Sequence, residues 1–307
     1  MDSLRLLPGF LENAIISGDI VVMLNVLLTF LSTVYAERAP LQDAYQQLEL
    51  QQNELLAKKR RNPRLQDFEV LNRSLNEAIQ NTKDKLDHHW ELFNRNCIPI
   101  LEQYVQRIPE GAQRFTAEFA IAASLMARRK EDLSMVNING FIASYATVRG
   151  DGACFFRAFL TALAYQLIGV VLPYDLEEMH EWILRLKFLM CDHIREIVQG
   201  NPQFERDLMK IPANGTIRSL EHYFQIFIRP AYQGTNYDCK ILADMFGKPI
   251  HVIRQYQSSH ETHQSFLQGE ILTTEAGHIN ILYQPGHFVA IISIYQCDLS
   301  SAFVPGS

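Results

Sequence analysis

The chain has no closely spaced pair of cysteines. Its five, Cys97, Cys154, Cys191, Cys239 and Cys297, are scattered over 307 residues, odd in number and without CxxC spacing. That argues against a disulfide-stapled secreted module and against a cysteine-rich zinc site; it suits reduced thiols buried as small apolar groups. A basic excess is missing too. With 28 Lys and Arg against 34 Asp and Glu, the net charge is −6, the wrong sign for a dedicated nucleic-acid binder. There is no internal repeat, and 15 Gly and 12 Pro are too few for a collagen-like or low-complexity chain. No HExxH or comparable spacing organises His88, His89, His180, His193, His260, His263 or His278 around a metal. These read as surface or packing histidines rather than metal ligands. One charge-free apolar run, Ile20 to Ala36, has 17 residues, the lower edge of a bilayer-spanning length. Asp19 precedes it, Asn25 interrupts it, and Asp2, Glu12 and Asp19 offset Arg5, which is a poor flank for a signal peptide. A buried helix is the expectation, with membrane contact left open, and the location expected is cytoplasmic.

What is present suffices for a core: 48% of residues are hydrophobic and 20% charged. Composition divides the chain into an apolar helical segment at 1–37, a Gln-, Glu-, Lys- and Asn-rich stretch at 38–108, a mixed globular part at 109–298 and a tail at 299–307. Within the second stretch, Leu41, Tyr45, Leu48, Leu55 and Leu56 mark a helix that Asn62-Pro63 should end. Leu65, Phe68, Leu71, Leu75, Ile79, Leu86, Trp90 and Phe93 then recur at three- and four-residue steps, one apolar stripe on a long helix. Together they predict a helical hairpin of coiled-coil character. The stripe faces the hairpin partner, the globular part or another protein, so a protein partner for 41–107 is one open reading. Lys58-Lys59-Arg60-Arg61 with Arg64 reads as a solvated helix end, basic side chains suiting a helix C-terminus; nuclear import or an anionic surface is the alternative.

Beyond residue 109, helical patterns cover 115–130, 155–168, 177–198, 220–228 and 239–246, and strand patterns cover 250–253, 278–283 and 288–295. Helices first and strands late predict an α+β fold with a small central sheet flanked by helices.

The sharpest local feature is Arg149-Gly150-Asp151-Gly152-Ala153-Cys154-Phe155-Phe156-Arg157-Ala158. A Gly-rich turn delivers Cys154 to the start of an apolar helix, whose free N–H groups and partial positive charge favour a thiolate. The backbone donors at Gly152 and Ala153 are suited to an oxyanion as a carbonyl is attacked. Structural burial is the commoner role of a cysteine at a helix start. A nucleophile needs a base, and His287, in the turn Gln284-Pro285-Gly286-His287 between two apolar strands, is positioned to meet a partner from elsewhere in the fold.

Asp-Gly-x-Cys-Phe-x-Arg-Ala, followed far downstream by Ile279-Asn280-Ile281-Leu282-Tyr283-Gln284-Pro285-Gly286-His287, resembles the OTU cysteine peptidases, and most closely the otubain branch. Tyr237 to Phe246 followed by Ile250-His251-Val252-Ile253 is similar to the helix and strand that precede the histidine strand there. The resemblance covers about 140–296, roughly half of the chain. It implies a papain-type core carrying an added N-terminal helical extension, and a thiol-protease deubiquitinase. Cys154 would be the nucleophile, His287 the base, Asp151 the residue that shapes the oxyanion loop with Gly152 and Ala153. It implies no cofactor, and as partners ubiquitin, polyubiquitin chains and ubiquitinated proteins. Two departures stand out. Ala153 replaces the usual Asn, Asp or Ser, which a backbone oxyanion hole tolerates. Val289 replaces the Asp or Asn that usually orients the imidazole. In a simple hairpin Leu282 lies beside Val289, and Asn280 falls roughly 13 Å from His287 along the face, so the orienting group is Asp151 or is absent. The alternatives kept open are a catalytically impaired ubiquitin-binding relative and a helical adaptor. A bacterial effector secreted into a host cytosol and a divergent eukaryotic otubain suit the sequence equally.

Overall fold

A computed structural model of the chain describes residues 9, 11, 13–16, 18–127, 133–138, 141–174, 176–210, 217–255, 262–265, 278–284 and 286–296. Cys297, His260, Pro285 and the 299–307 tail fall outside them. The chain forms two compact units. One is Met1–Pro109 with Thr116–Lys130; the other is Glu110–Phe115 with Glu131–Ser307.

The first unit is helical. Helix α1 (Ile20–Arg61) opens on Asp19, whose carboxylate accepts from the N–H groups of Val21 and Val22 at 2.8 and 3.3 Å. The compositional change at residue 37 falls in the interior of this one helix, which also contains Pro40. Met23, Leu27, Phe30, Leu31 and Val34 form its buried stripe, continued by two polar residues, Arg38 and Gln42. By length and composition alone α1 could cross a membrane; Val21 and Val22 are exposed. Lys58 to Arg61 fill its last turn, and Asn62 ends it by donating its N–H to the Lys58 carbonyl. Helix α2 (Phe68–Asn96) runs antiparallel to α1: Lys59 lies over the Phe68 ring, the Gln52 and Asn76 amides bond, and Arg38 lies over Trp90. The predicted hairpin is therefore present. Its stripe is mostly half-buried, fully buried at Phe93 and 50% exposed at Leu71. Helix α3 (Ile98–Val105) and the Thr116–Met126 part of α4 (Ala112–Met126) complete the unit.

The second unit is α+β, as the sequence indicates. Among the described residues six strands, β1 (Ser134–Ile138), β2 (Phe141–Ala146), β3 (Ile250–Gln255), β4 (Thr262–Ser265), β5 (Ile279–Gln284) and β6 (His287–Gln296), form one sheet in the order β1-β2-β6-β5-β3-β4. Of these neighbouring pairs β3–β5 is parallel and the others antiparallel. Helix α5 (Cys154–Ile168) packs on β5 and β6. Around it are α6 (Met179–Gly200), α7 (Pro202–Leu208), α8 (Leu220–Phe227) and α9 (Asn236–Phe246). One sheet face carries Ala143, Ile253, Leu282, Val289 and Ile291 as a buried cluster; β5 and β6 present the other to α5. Helix α5 is apolar all round because it is buried all round, and Gly169 ends it in the left-handed conformation (φ 74°). Strands β1, β2 and β4 and helices α3 and α7 are elements that sequence periodicity does not announce.

Candidate active site

Cys154 is the first residue of α5 and is buried. Burial pushes its thiol above the ordinary value, and the nearby Asp151 charge adds to that; the backbone N–H groups of Phe288, Phe155 and Cys154 itself act the other way. The donors anticipated at a helix start thus lower the thiol less than desolvation raises it.

His287 opens β6, opposite Gln284, with Tyr283 opposite Phe288 and Leu282 opposite Val289. This is the simple hairpin register expected from the sequence. Gly286 turns the chain at φ 78°, and its N–H donates to the Tyr283 hydroxyl at 3.3 Å. The Cys loop reaches the same imidazole from its other end. A methyl built on Gly150 would lie 3.6 Å from His287 Nδ1, so the ring rests against the Gly150 backbone. Aromatic contacts fasten the two elements together: Phe155 meets Phe288 with ring centroids 5.4 Å apart, and Phe288 meets Tyr283 at 4.9 Å. Each such pair contributes about 0.5–1.5 kcal/mol beyond its buried area.

Asp151 is engaged inside its own loop. One carboxylate oxygen accepts from the Ala153 N–H at 3.1 Å; the other accepts from Arg157 Nε at 3.0 Å and Nη2 at 2.6 Å. Burial acts to raise this carboxyl, yet the Arg157 and Ala153 hydrogen bonds and the Arg157 charge hold it below the usual carboxylate range. Arg157 is itself buried and donates from Nη1 to the Leu176 carbonyl at 3.3 Å. Asp151 therefore shapes the loop, and among the described residues no side chain hydrogen-bonds His287. Asn280 lies on the same sheet face with its Oδ1 buried and unpaired, two residues beyond Leu282 and far from the ring. Ala153 gives its N–H to Asp151, while the N–H groups of Gly152 and Cys154 have no hydrogen-bond acceptor among the described residues. Gly152 has φ 85°, and a Cβ there would stand 3.0 Å from Ala231 Cα, so left-handed backbone and a close neighbour both require glycine.

Sequence reasoning did not find two supporting residues. Arg157 is one, although its i, i+6 spacing from Asp151 across a helix start was a readable signal. Lys187 is the other. It is 1% exposed, donates to the Arg229 carbonyl at 2.8 Å and lies 4.7 Å from the Phe156 ring centre. Burial pulls it down to about 8, opposed by the charge of Asp238. Asp238 closes a capping box with Thr235 at the start of α9 and accepts from the Tyr232 hydroxyl at 3.2 Å; burial raises it to about 6. A lysine in the middle of an amphipathic helix pattern gives no hint of burial.

A cavity of about 210 Å³ adjoins the pair, lined by Phe155 and Phe288, the neighbours of Cys154 and His287, and by Gln233, Gly234, Thr235 and Tyr283 among others. A larger one of about 430 Å³ belongs to the helical unit. Among the described residues no group of three or more His, Cys, Asp or Glu is arranged to hold a metal.

No family model matches the chain. No curated protein matches it. Among solved structures it is similar to an OTU deubiquitinase from Wolbachia pipientis wMel, crystallised bound to ubiquitin, at 15% identity over 50% of this chain and 97% of that one, TM-score 0.35. It is similar also to the viral OTU domain protease of Farallon virus, at 23% identity over 52% of this chain and 97% of that one, TM-score 0.30.

Proposed function

We propose that the chain is a cysteine hydrolase of OTU type that cuts the isopeptide bond between the C-terminal glycine of ubiquitin and a lysine. The observation that carries it is the meeting of the Cys loop with the His strand: a methyl built on Gly150 would stand 3.6 Å from His287 Nδ1, and Phe155 meets Phe288 with ring centroids 5.4 Å apart. The motif residues quoted above supply ubiquitin as the substrate class.

In this reading His287 takes the Cys154 proton as the sulfur attacks the glycine carbonyl carbon. The negative charge passes to the carbonyl oxygen, held by the Gly152 N–H. Collapse of the tetrahedral adduct breaks the C–N bond, and His287 gives its proton to the departing lysine amine. Water, deprotonated by His287, then attacks the thioester, and ubiquitin leaves with a free carboxylate as the thiol is restored. Because burial raises the thiol above its ordinary value, proton transfer accompanies attack. A dyad suffices chemically, since a thiol needs less activation than a hydroxyl.

A panel of diubiquitins, incubated with the chain and with Cys154→Ala, tests this. Cleavage of at least one linkage by the natural chain and by none of the mutant reactions is expected. A second reading, binding of ubiquitin without turnover, is favoured by Val289 at the orienting position and by the Ala153 N–H already given to Asp151. It predicts no cleavage in any reaction and ubiquitin binding that survives Cys154→Ala.

A further inference from the structure

Lys187 is buried at a cost that packing does not explain. Taking an ammonium out of water is unfavourable unless its charge and protons are met. This one is ringed by Phe156, Tyr232 and Phe227, whose centres stand 4.7, 5.4 and 5.8 Å away. A methionine of similar length would fill that space without the penalty. What the lysine adds is its hydrogen bond to the Arg229 carbonyl at 2.8 Å.

That carbonyl also accepts from the Tyr232 N–H at 3.2 Å, which closes the four-residue turn Arg229-Pro230-Ala231-Tyr232 with proline in its second position. Arg229, Pro230 and Ala231 are exposed, so burial does not fix them; Lys187 ties the turn to α6 from beneath. The proline ring limits the freedom between the tied carbonyl and Ala231. Asp238 ties the far end of the segment. One of its carboxylate oxygens accepts from the Thr235 N–H at 2.6 Å, the Thr235 hydroxyl at 2.8 Å and the Tyr232 hydroxyl at 3.2 Å. Between the two ties the segment touches residues on both sides of Cys154. The Ala231 backbone lies where a Gly152 side chain would be: a Cβ there would stand 3.0 Å from Ala231 Cα and 3.3 Å from its carbonyl oxygen. A Cβ on Gly234 would stand 2.1 Å from Phe155 Cδ1, so the Phe155 ring rests on that glycine.

We propose that Lys187 is a positioning residue: through the Arg229 carbonyl it braces the turn against Gly152 and so fixes the Gly152 N–H where an oxyanion forms during acyl transfer to Cys154. A donor displaced by about 1 Å loses much of its effect on such a charge. The proposal rests on the reading of Cys154 as an acyl acceptor and not on ubiquitin as the substrate.

Two reagents applied to the full chain test it. p-Nitrophenyl acetate acylates the thiol: a sulfur–carbon bond forms, the carbonyl oxygen takes the negative charge, and p-nitrophenolate leaves. Iodoacetamide alkylates the same sulfur by displacing iodide at a saturated carbon, and no oxyanion forms. The Cys154-dependent rate of each is the difference from Cys154→Ala. Lys187→Met should slow acetylation at least about tenfold and leave alkylation within about twofold. Ala231→Gly, at an exposed position, should loosen the turn and slow acetylation about two- to threefold with alkylation unchanged; it decides the matter where Lys187→Met fails to fold. An equal fall in both rates would mean that Lys187 holds the Cys154 helix as a whole, and unchanged acetylation that it holds nothing at the site; either overturns the proposal. A natural chain whose Cys154 alkylates but takes no acetyl group contradicts the acyl-transfer reading itself and the proposal with it.

Discussion

Burial alone does not distinguish Cys154 from the other described cysteines. Cys97 and Cys191 are buried as well, and their thiols are pushed up to about 11 and about 12. Cys154 differs in its place at the start of α5, with Gly150 of its loop against the His287 ring and Phe155 against Phe288. Its thiol still stands above the ordinary value. The free chain should therefore alkylate slowly at Cys154 with iodoacetamide near neutrality, the rate rising with pH through the alkaline range. Fast modification at pH 6–7 would instead mean a preformed thiolate–imidazolium pair. Arg157 carries the loop. Arg157→Met leaves the Asp151 carboxylate without its main partner in a site where Asp151 is only 27% exposed, and should cost toward the low end of about 3–5 kcal/mol by denaturant titration. The sign of the Asp151 effect is fixed by its lowered pKa. Its stabilisation is fully present above the ordinary carboxylate range and is lost as pH falls through the depressed value. The melting-temperature gap between the natural chain and Asp151→Asn should hold steady from pH 5 to 8 and shrink below about pH 4.

At the scale of elements, the hairpin at 41–93, the Cys helix and the β5–β6 hairpin were legible because each has an uninterrupted apolar period bounded by a turn signal. The Asn62-Pro63 stop and the Pro285-Gly286 turn gave their ends. The join at residue 37 was not legible as helix interior. Composition changes there because α1 passes from a buried apolar stripe to one completed by Arg38 and Gln42, and local period does not register a polar residue whose partners are 85 or more positions away. Strand β1, Ser134–Ile138, pairs only with β2, and such edge positions lack the doubly buried run that marks a central strand. The sequence singled out Cys154 and His287 but not the side chains packed around them, since Lys187 and Arg157 are held by burial that the sequence does not display. Pro40 supplies a prediction at this scale. A proline in a helix interior removes one backbone bond and crowds the preceding turn, at a cost of about 3 kcal/mol. Pro40→Ala should raise the unfolding free energy by about 1–3 kcal/mol; a loss of stability would show that the proline is needed for the course of α1.

At the scale of the molecule, the two units exchange chain. Residues 110–115 belong to the second unit and 116–130 to the first, so α4 is shared between them. Phe115 packs against Trp182 and Phe246 at 5.7 and 6.0 Å between ring centres, while the buried Phe119, Ala120 and Ala123 belong to the helical unit. A single cut near residue 109 should therefore not release a sound second unit. A fragment beginning at 110 is expected to bind an apolar dye such as ANS and to self-associate by light scattering. A monomeric fragment that melts as sharply as the full chain would contradict this. The claim on which the rest depends is that Cys154 and His287 act together on the C-terminus of ubiquitin, and ubiquitin carrying a C-terminal propargylamide tests it most directly. The full chain should gain the mass of one ubiquitin, the adduct should map to the peptide containing Cys154, and His287→Ala should slow the reaction at least about a hundredfold, as loss of a general base does. A folded chain that gains no mass, or an adduct on another cysteine, would contradict the account.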